Sequence, residues 1–503
     1  MPQFRRLPTR SVLAILVSAA FAGCAIQPQA LSPDERQAAL KAGRTEMFQQ
    51  QEPVQGPITL DEAMARAIKY NLDHRVKLME EVVSQRQLNL SRTDLLPKLA
   101  LSAGYSGRDN ELASSSRSVI SGNQSLEPST SSDKEHRNGD LSLSWNVLDF
   151  GVSYYGAHQQ ADRVQVAEER RRKVLHLLMQ QTRQAWWQAA GAQLLEARID
   201  PVLKLARQAL DDSRQVEVEK LRSPLEALTY QRQLLDIVRQ LEAVRDELAQ
   251  AKPRLASIMN LPPGEPFSVA VGGALATPKV SLPVADMEEA AMLRRPELVE
   301  AQYNERIGLL ETRKALARLL PGLELSVGQH YDSNSYLSNH RWGDVGLRVS
   351  WNLFNVLNAG TIRGVAQSQL ELARQQRLAL SMAVLTQVHV ARLDYLGRLK
   401  QYQLTDDLNK VEQRILQYTR NAATANSQGK MEEIRASASA MMSELRLYQT
   451  YGALQGAYGQ LVATLGLDPL PESVPSHDLK ALGESVRASE ANWTKTINPG
   501  GGA

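Results

Sequence analysis

The sequence contains a single cysteine, Cys24, and few aromatic residues, which make up 5% of its 503 residues. One cysteine excludes an intramolecular disulfide. The charges nearly balance, with 58 Lys+Arg and 55 Asp+Glu. The composition therefore gives no indication of a basic surface that binds nucleic acid. Leu, Ala, Gln, Arg and Glu are abundant instead, which is typical of long helices and not of a large enzyme core. We therefore expect a mainly α protein.

Catalytic motifs are also absent. The sequence has no HExxH, P-loop, GxSxG or CxxC pattern and no dinucleotide-binding glycine pattern. Its eight histidines form no pair at the spacing of metal ligands. We therefore predict no enzyme activity, no metal and no cofactor. His158 and His176 are expected to be solvated or packed on helices, and the charged run Glu168–Lys173 to form a solvated helix face.

The N-terminus has the features of a secretory signal peptide. Basic residues lie within residues 1–10, and the apolar run Val12–Phe21 follows them. This run is too short to span a bilayer as a helix, which needs about 20 residues, and no later apolar stretch reaches that length. We therefore expect residues 1–23 to be a signal peptide and the mature chain to lack a transmembrane helix.

Cys24 follows Ala22 and Gly23, an order that resembles the lipobox of bacterial lipoproteins, although Phe21 stands where Leu is usual. We expect lipidation of Cys24, for example with palmitate. The alternative is an incidental cysteine near an ordinary cleavage site. Ala25 follows in place of Asp, which resembles lipoproteins that are sent to the outer membrane.

An internal duplication organises the chain, and such repeats reveal the architecture. Leu96–Gly104 returns as Leu320–Gly328, an offset of 320 − 96 = 224. Ser144–Leu148 returns as Ser350–Phe354, an offset of 350 − 144 = 206. The difference, 224 − 206 = 18 residues, lies in the first copy, where the Ser-rich stretch Ala113–Asp133 predicts a longer loop.

Each copy is predicted to contain one hairpin and long helices. In the matched blocks, apolar residues such as Leu141, Leu143 and Trp145 alternate with polar ones, which indicates strands. Helical periodicity, with almost no Gly or Pro, predicts helices that pack their heptad-like apolar positions as coiled-coil layers. The predicted helical segments are Leu60–Leu95, His158–Leu221, Leu225–Leu255, Asp286–Leu319, Gly360–Ser427 and Glu432–Leu465.

Four half-apolar strands cannot close a barrel in a membrane, because open strand edges that face lipid would leave backbone groups unpaired. The sheet is therefore expected to close by oligomerisation. Membrane barrels need eight or more strands, so three copies with about twelve strands are the smallest arrangement with room for an open pore.

These features resemble the TolC-type outer-membrane efflux protein family. The resemblance rests on the duplicated helix–hairpin–helix plan and on three sets of motifs: the Leu-Pro-x-Leu-x-Leu-Ser blocks at Leu96 and Leu320, the Ser-Trp-Asn blocks, and Arg295–Leu298. It covers about Ile58 to Leu470. It implies a homotrimer with a 12-stranded β-barrel in outer-membrane lipid and an α-helical barrel in the periplasm. Its partners would be a periplasmic adaptor protein and an inner-membrane pump, and nucleic acid would not be one.

The predicted organisation has five parts. Residues 1–23 form the signal peptide, 24–57 a lipid-anchored linker, 58–270 and 271–470 the two structural repeats, and 471–503 a disordered tail. The adaptor-binding tip implied by the resemblance comprises Leu221, Arg222, Ser223, Pro224, Gln428, Gly429, Lys430 and Met431. Ser223 and Pro224 fit an N-cap followed by Pro at the first helical position, and Gly429 fits a left-handed C-terminal cap.

Two further sites follow from the resemblance. The pore side of the strands is expected to comprise Ser142, Ser144, Asn146, Glu324, Ser326, Arg348, Ser350 and Asn352. At the periplasmic mouth the family often has acidic residues, but this chain has Arg420, Asn421 and Thr424, so an acidic constriction is not transferred. Trp145 and Trp351 fit either an interfacial aromatic belt or a contact between protomers.

Two functions fit the sequence. The first is a passive exit duct for a tripartite drug-efflux system or a type I secretion system, between which the sequence does not distinguish. The second is a lipoprotein that serves as a periplasmic coiled-coil scaffold and has no pore.

Overall fold

The computed structural model describes residues 28–219, 223–271, 275–423, 430–471, 474 and 476–499. The chain divides into two compact units, Met1–Pro53 and Val54–Ala503. In the first unit, helix α1 (Pro33–Phe48) begins with a capping box, in which Ser32 and Glu35 bond to each other's backbone N–H. None of the residues of α1 is buried.

The second unit is mostly helical with a small strand part, as the sequence predicts. Its helices are α2 (Leu60–Tyr70), α3 (Leu72–Thr93), α4 (Val147–Val218), α5 (Pro224–Ile258), α6 (Val284–Arg294), α7 (Pro296–Ala317), α8 (Leu353–Leu357), α9 (Ala359–Ala423), α10 (Lys430–Thr464) and α11 (Leu479–Ile497). Its strands are β1 (Lys98–Gly107), β2 (Ala113–Ser114), β3 (Ser129–Thr130), β4 (Glu135–Asn146), β5 (Gly322–Asp332) and β6 (Arg341–Ser350). None of the described helices combines the length and apolar character needed to traverse a bilayer.

The duplication recurs in the bounds of the elements. Helix α6 begins and ends 224 residues after α2 (284 − 60 and 294 − 70), and α7 lies the same distance after α3 (296 − 72 and 317 − 93). Helix α10 begins and ends 206 residues after α5 (430 − 224 and 464 − 258). The two halves therefore fold into the same order of elements.

The sequence predicts one continuous helix at the start of each half, and this prediction is wrong. Each segment is broken into two helices at equivalent positions, Asn71 and Arg295. The Asn71 side chain accepts a hydrogen bond from the His74 N–H (3.1 Å) and so starts a new helix. Pro296 occupies the first turn of α7 and disfavours helical geometry at the preceding residue, Arg295, whose ψ is 125°.

The main sheet is antiparallel in the order β1-β4-β5-β6. Each half contributes one hairpin, and the pairing of β4 with β5 joins the two halves. The insertion in the first half forms an exposed loop whose short strands β2 and β3 pair only with each other.

The long helices pack through heptad-spaced apolar residues, as predicted. Helix α4 has 72 residues and α9 has 65, which at about 1.5 Å per residue correspond to lengths on the order of 100 Å. One buried seam joins α4, α5 and α10. It contains Ala192, Leu195, Ile199, Leu203, Leu241, Val244, Leu248, Ala251, Ala438, Met441 and Leu445.

The prediction of a disordered tail is wrong over Leu479–Ile497, which forms α11. Asp478 caps this helix by accepting the Ala481 N–H at 2.7 Å. Its apolar face, which includes Leu482, Val486 and Trp493, is buried against both halves of the chain. A helical apolar stripe is therefore present in the tail, although Pro and Gly surround it.

Candidate functional site

The register of the sheet places the polar residues on one face. Ser144 pairs with Ser326, Asn146 with Glu324, and Glu324 with Arg348, while Ser142 pairs with Gly328. Because successive side chains of a strand point to opposite faces, all the even-numbered strand residues share this face. The predicted pore residues within the strands are therefore brought together.

The opposite face is apolar and uncovered. Along β4 and β5 the even-numbered polar residues are half-buried or buried, whereas the odd-numbered apolar residues are exposed. On the outer strands Leu101 is 79% exposed and Val345 is 76% exposed. This arrangement is the reverse of a sheet in a water-soluble protein, where the apolar face is the covered one. The exposed apolar residues of this face include Leu99, Leu101, Leu141, Leu143, Leu323, Leu325, Val327, Val345, Leu347 and Val349.

Asn146 and Asn352, which the sequence assigns to the pore side, lie where strands become helices. The Asn146 side chain accepts the backbone N–H groups of Leu148 (2.9 Å) and Asp149 (3.3 Å), and the Asn352 side chain accepts that of Asn355 (3.3 Å). Both are N-caps, so the asparagine of the Ser-Trp-Asn block has a structural role that the sequence analysis missed.

The neighbouring tryptophans are partly exposed. The Trp351 indole N–H donates to the Leu319 carbonyl (2.9 Å), and the Trp145 ring meets Phe150 edge-on at 5.8 Å. Their exposed fractions are 53% and 39%, so apolar ring surface is available to lipid or to another chain.

Two helices that continue from the edges of the sheet carry exposed apolar stripes. Helix α3 leads into the edge strand β1, and its stripe, here called the α3 seam, comprises Leu72, Val76, Met79, Val83 and Leu90. Helix α9 lies beyond the other edge strand, β6. Its α9 seam comprises Leu404, Leu408, Val411, Ile415 and Tyr418, which are 45% to 66% exposed. Their spacing of four, three, four and three residues is that of a coiled-coil seam.

The basic run in α4 is not a solvated face, and that prediction is wrong. Arg170 pairs with Glu300 on α7 (2.8 Å), and Arg171 with Glu81 on α3 (2.6 Å). Lys173 lies 3.5 Å from Glu297 of α7. Consecutive helical residues point in directions about 100° apart, so Arg170 and Lys173, three residues apart, both meet α7, whereas Arg171 between them meets α3.

Arg172 extends this network to Asp468, which follows α10, at 2.8 Å, and it also contacts Glu169 at 2.6 Å. His176 is buried beside Asp468, with its Nε2 at 2.9 Å. Burial opposes ionisation of Asp468, but the hydrogen bonds from His176 and Arg172 outweigh it and lower the pKa of that carboxyl. For Glu169, burial has the larger effect and raises the pKa.

The predicted tip and mouth are only partly within the described residues. Ser223 is the exposed N-cap of α5 and Pro224 its first residue, as predicted, although the Ser223 side chain makes no capping hydrogen bond. Lys430 begins α10, and the half-buried Met431 packs near Ile434. Arg420 and Asn421 are exposed near the end of α9. Cys24, Leu221, Arg222, Thr424, Gln428 and Gly429 lie outside the described residues.

The polar face also carries charged residues that the sequence analysis did not select. Asp140 on β4, His330 on β5 and Asp344 on β6 form a row, with the His330 ring nitrogens 2.7 Å and 2.9 Å from the two carboxylates. The same alternation that selected Ser142 and Ser326 includes these residues, so continuing it along the strands would have found them.

No protein-family model and no curated protein match the chain. Solved structures do match. The Campylobacter jejuni CmeC outer membrane channel is 13% identical, with 81% of this chain and 85% of that chain covered, at a TM-score of 0.65. For the Neisseria gonorrhoeae MtrE outer membrane channel the identity is 16%, the coverages are 81% and 88%, and the TM-score is 0.61.

A third match is CusC, whose structures concern folding and transmembrane channel formation, at 16% identity, coverages of 81% and 92% and a TM-score of 0.62. The chain therefore has the fold of these outer-membrane channels. The resemblance to the TolC-type family, inferred from the sequence blocks, is confirmed at the level of fold.

Proposed function

We propose that this chain is one protomer of a trimeric outer-membrane channel, the exit duct of a tripartite efflux or type I secretion system. Transport through it is passive, and an inner-membrane pump supplies the energy. The observation that carries this proposal is the main sheet, whose apolar face is exposed and whose polar face is half-buried. The channel fold of the similar structures supports it.

The edges of the sheet support closure by copies of the same chain. Strands β1 and β6 end the sheet order, so one side of each has no partner strand in the main sheet. Unpaired backbone groups are strongly disfavoured in lipid, and pairing β6 of one copy with β1 of the next removes both edges. Three copies give twelve strands, enough for a barrel with an open interior.

The exposed helix seams support the same arrangement. The α3 and α9 seams flank the two edges of the protomer, so a ring that joins β6 to β1 also brings α9 to the neighbouring copy. Towards the tip, the α9 seam is opposite the start of the neighbour's α5. There Leu225, Leu228 and Leu235 are 75%, 51% and 48% exposed. Burying such stripes is the usual driving force for coiled-coil association.

The remaining parts of the proposal follow from this orientation. The long helices extend from the outer membrane into the periplasm, where the turns at Ser223 and Lys430 bind the adaptor. Cys24 anchors the segment 24–57 to lipid after removal of residues 1–23, and residues 58–270 and 271–470 form the two repeats. The even-numbered strand residues line the pore. Arg420, Asn421 and Thr424 give the periplasmic mouth a non-acidic lining.

Electrophysiology tests the proposal. Purified full-length protein added to planar bilayers is expected to give uniform stepwise conductance, and the same preparation is expected to have the mass of three copies. A periplasmic scaffold without a pore would give a silent bilayer, with or without an adaptor, and would stay soluble without detergent once Cys24 is replaced. That pair of results would overturn the channel.

A further inference from the structure

The two hairpins of the main sheet have the same register once the duplication offsets are applied. In the first hairpin Ser102 pairs with Asp140. Their equivalents, Ser326 (102 + 224) and Gly346 (140 + 206), pair with each other in the second hairpin. The offsets seen in the sequence therefore relate individual backbone positions of the strands.

The correspondence continues beyond the end of β1. The Arg108 N–H donates to the Lys134 carbonyl at 3.0 Å. The equivalent N–H, that of Asp332 (108 + 224), donates to the His340 carbonyl (134 + 206) at the same distance. Arg108 therefore continues the ladder of β1 and is the equivalent of Asp332, the last residue of β5.

The junction between the two halves is a template for the junction between copies. Within the chain β4 pairs with β5, and Asn138 lies opposite Asp332. In the proposed trimer β6, the equivalent of β4, pairs with β1 of the neighbouring copy, the equivalent of β5. The copied register places Asp344 (138 + 206) opposite Arg108 (332 − 224). A head-to-tail interface forms a ring only if its steps close, and copying the internal junction makes all six steps of the ring alike.

The lipid-facing residues fit the copied register. It places Val349 opposite Ala103 and Leu347 opposite Tyr105, which are the equivalents of pairs within the chain. All four belong to the odd-numbered, exposed face of the sheet. A slip of one residue would bring polar side chains of one strand onto the apolar face of the other, so the alternation disfavours it.

Charge selects among the registers that keep the faces matched. Slips of two residues in either direction would place Arg108 opposite Trp342 or Gly346. Of these three registers, only the copied one gives Arg108 an acidic residue as its opposite. Side chains that face each other in an antiparallel pair have Cβ atoms about 5 Å apart, which an arginine and an aspartate can bridge. Asp344 is 60% exposed and bonds to His330 through Oδ1, and a carboxylate can accept from a second donor as well.

The helices beside the junction provide an independent observation. Within the chain α4 packs on α7, where the Gln159 side chain donates to the Ile307 carbonyl at 3.1 Å. The equivalents are Val365 (159 + 206) on α9 and Val83 (307 − 224) on α3. These valines are 54% and 53% exposed in one chain. The copied junction brings them together between copies, where both lose contact with water.

We infer that copies of this chain join in one defined register, in which Asp344 of one copy forms an ion pair with Arg108 of the neighbouring copy. This inference rests on the proposed trimeric channel. The ion pair continues the row of Asp140, His330 and Asp344 across the junction. Acidic and basic side chains then alternate from β4 of one copy to β1 of the next, and each copy supplies the residue that completes its neighbour's row.

Disulfide trapping tests the register. Ser102→Cys/Ser350→Cys and Ala103→Cys/Val349→Cys place cysteines opposite each other across the junction. One pair lies on each face, because adjacent pairs of antiparallel strands differ in spacing. After oxidation in membranes, at least one variant should run mostly as covalent dimers and trimers on a non-reducing gel. Most of this ladder should disappear when the β6 cysteine is moved two positions either way, to Arg348 or Asn352 and to Leu347 or Trp351.

The duplication supplies matched controls for the cysteine pairs. Ser144→Cys/Ser326→Cys and Leu143→Cys/Val327→Cys are the equivalent pairs within one chain. At least one should lose its free thiols on oxidation while the chain keeps the mass of one copy. Variants with a single introduced cysteine identify any cross-link that involves Cys24.

A double-mutant cycle tests the ion pair through the temperature at which the trimer dissociates in detergent. Asp344→Asn should lower this temperature more than Arg108→Gln, because it also weakens the contact with His330. If the two residues pair, Arg108→Gln/Asp344→Asn should dissociate at the temperature of Asp344→Asn alone. The control Arg108→Gln/Val365→Ala combines two separate contacts, so its two losses should add.

The outcomes separate the two proposals. A ladder only from a shifted cysteine pair, or losses of Arg108→Gln and Asp344→Asn that simply add, would overturn the inference and leave the channel standing. Cross-links in the internal pairs with none between copies would overturn the trimer and the register with it. If neither internal pair cross-links, the template itself is wrong and the inference is overturned. The two faces give independent tests, so one variant that does not fold leaves the other decisive.

Discussion

Disrupting the α9 seam with charge is expected to convert the trimer into folded single chains. In Leu408→Glu/Ile415→Glu, both changed side chains are 45% exposed in one chain, so its internal packing loses little. In the proposed trimer these positions are buried against the neighbouring α5. The double variant should therefore retain its helicity and lose its assembly.

The size of the effect follows from the exposed surface. Burying a whole Leu or Ile side chain contributes about 1.5–3 kcal/mol, so the half that remains exposed here contributes about 1 kcal/mol at each position. Placing a carboxylate in an apolar seam costs at least about 1 kcal/mol more at each position. The total of about 4 kcal/mol per interface corresponds to roughly a thousandfold weaker association.

Native mass spectrometry from detergent micelles, with circular dichroism on the same sample, measures both quantities. Gln417→Glu is the matched control, because Gln417 is exposed on the same helix and lies outside the seam. We expect a trimer for the wild type and the control, and a helical monomer for the double variant. A double variant that remains trimeric would refute the assignment of the α9 seam to the interface.

Three further predictions concern the rest of the chain. Trp493→Ala should lower the free energy of unfolding by about 3–5 kcal/mol in chemical denaturation, because the Trp493 side chain is 7% exposed and its indole N–H donates to the Asp468 carbonyl (2.8 Å). The control, Lys480→Ala on the exposed side of α11, should have little effect. Asp468→Asn should cost about 1 kcal/mol near pH 7, since the carboxylate is partly exposed. Because the pKa of Asp468 is lowered in the fold, this difference should persist in thermal melts down to about pH 4 and decline only as the pH falls further, through the lowered pKa. Cys24→Ser should abolish the added lipid mass in intact-protein mass spectrometry while the trimer remains.

Much of the fold could be predicted because two signals are local and repeated. Alternation with period two identified the four long strands, and the recurrence of blocks at offsets of 224 and 206 identified the two halves. The breaks at Asn71 and Arg295 were missed because the apolar pattern continues through them, and capping and the proline effect act on single residues.

Parts that depend on tertiary contacts could not be predicted from local patterns. The run around Arg172 looks solvated in sequence, yet its partners Glu81, Glu300 and Asp468 lie far along the chain. Helix α11 was missed because Pro and Gly near both of its ends suggested disorder, although its apolar stripe has helical spacing.

The candidate site was only partly predictable for a similar reason. Alternation selected serines and charged residues near the helix ends of the strands, but only the register shows that His330 lies between Asp140 and Asp344. The role of Asn146 as a helix cap depends on where β4 ends, which alternation does not reveal.

The most direct test of a pore lined by the polar face uses single cysteines at adjacent positions of β5, introduced by Ser326→Cys and Val327→Cys. A charged, membrane-impermeant thiol reagent is added during single-channel recording, with the wild type controlling for Cys24. We predict that conductance falls in steps for the variant at position 326 and is unchanged for the one at position 327. Modification that alters conductance only at 327, or at neither position, would contradict a lumen lined by the even-numbered strand residues.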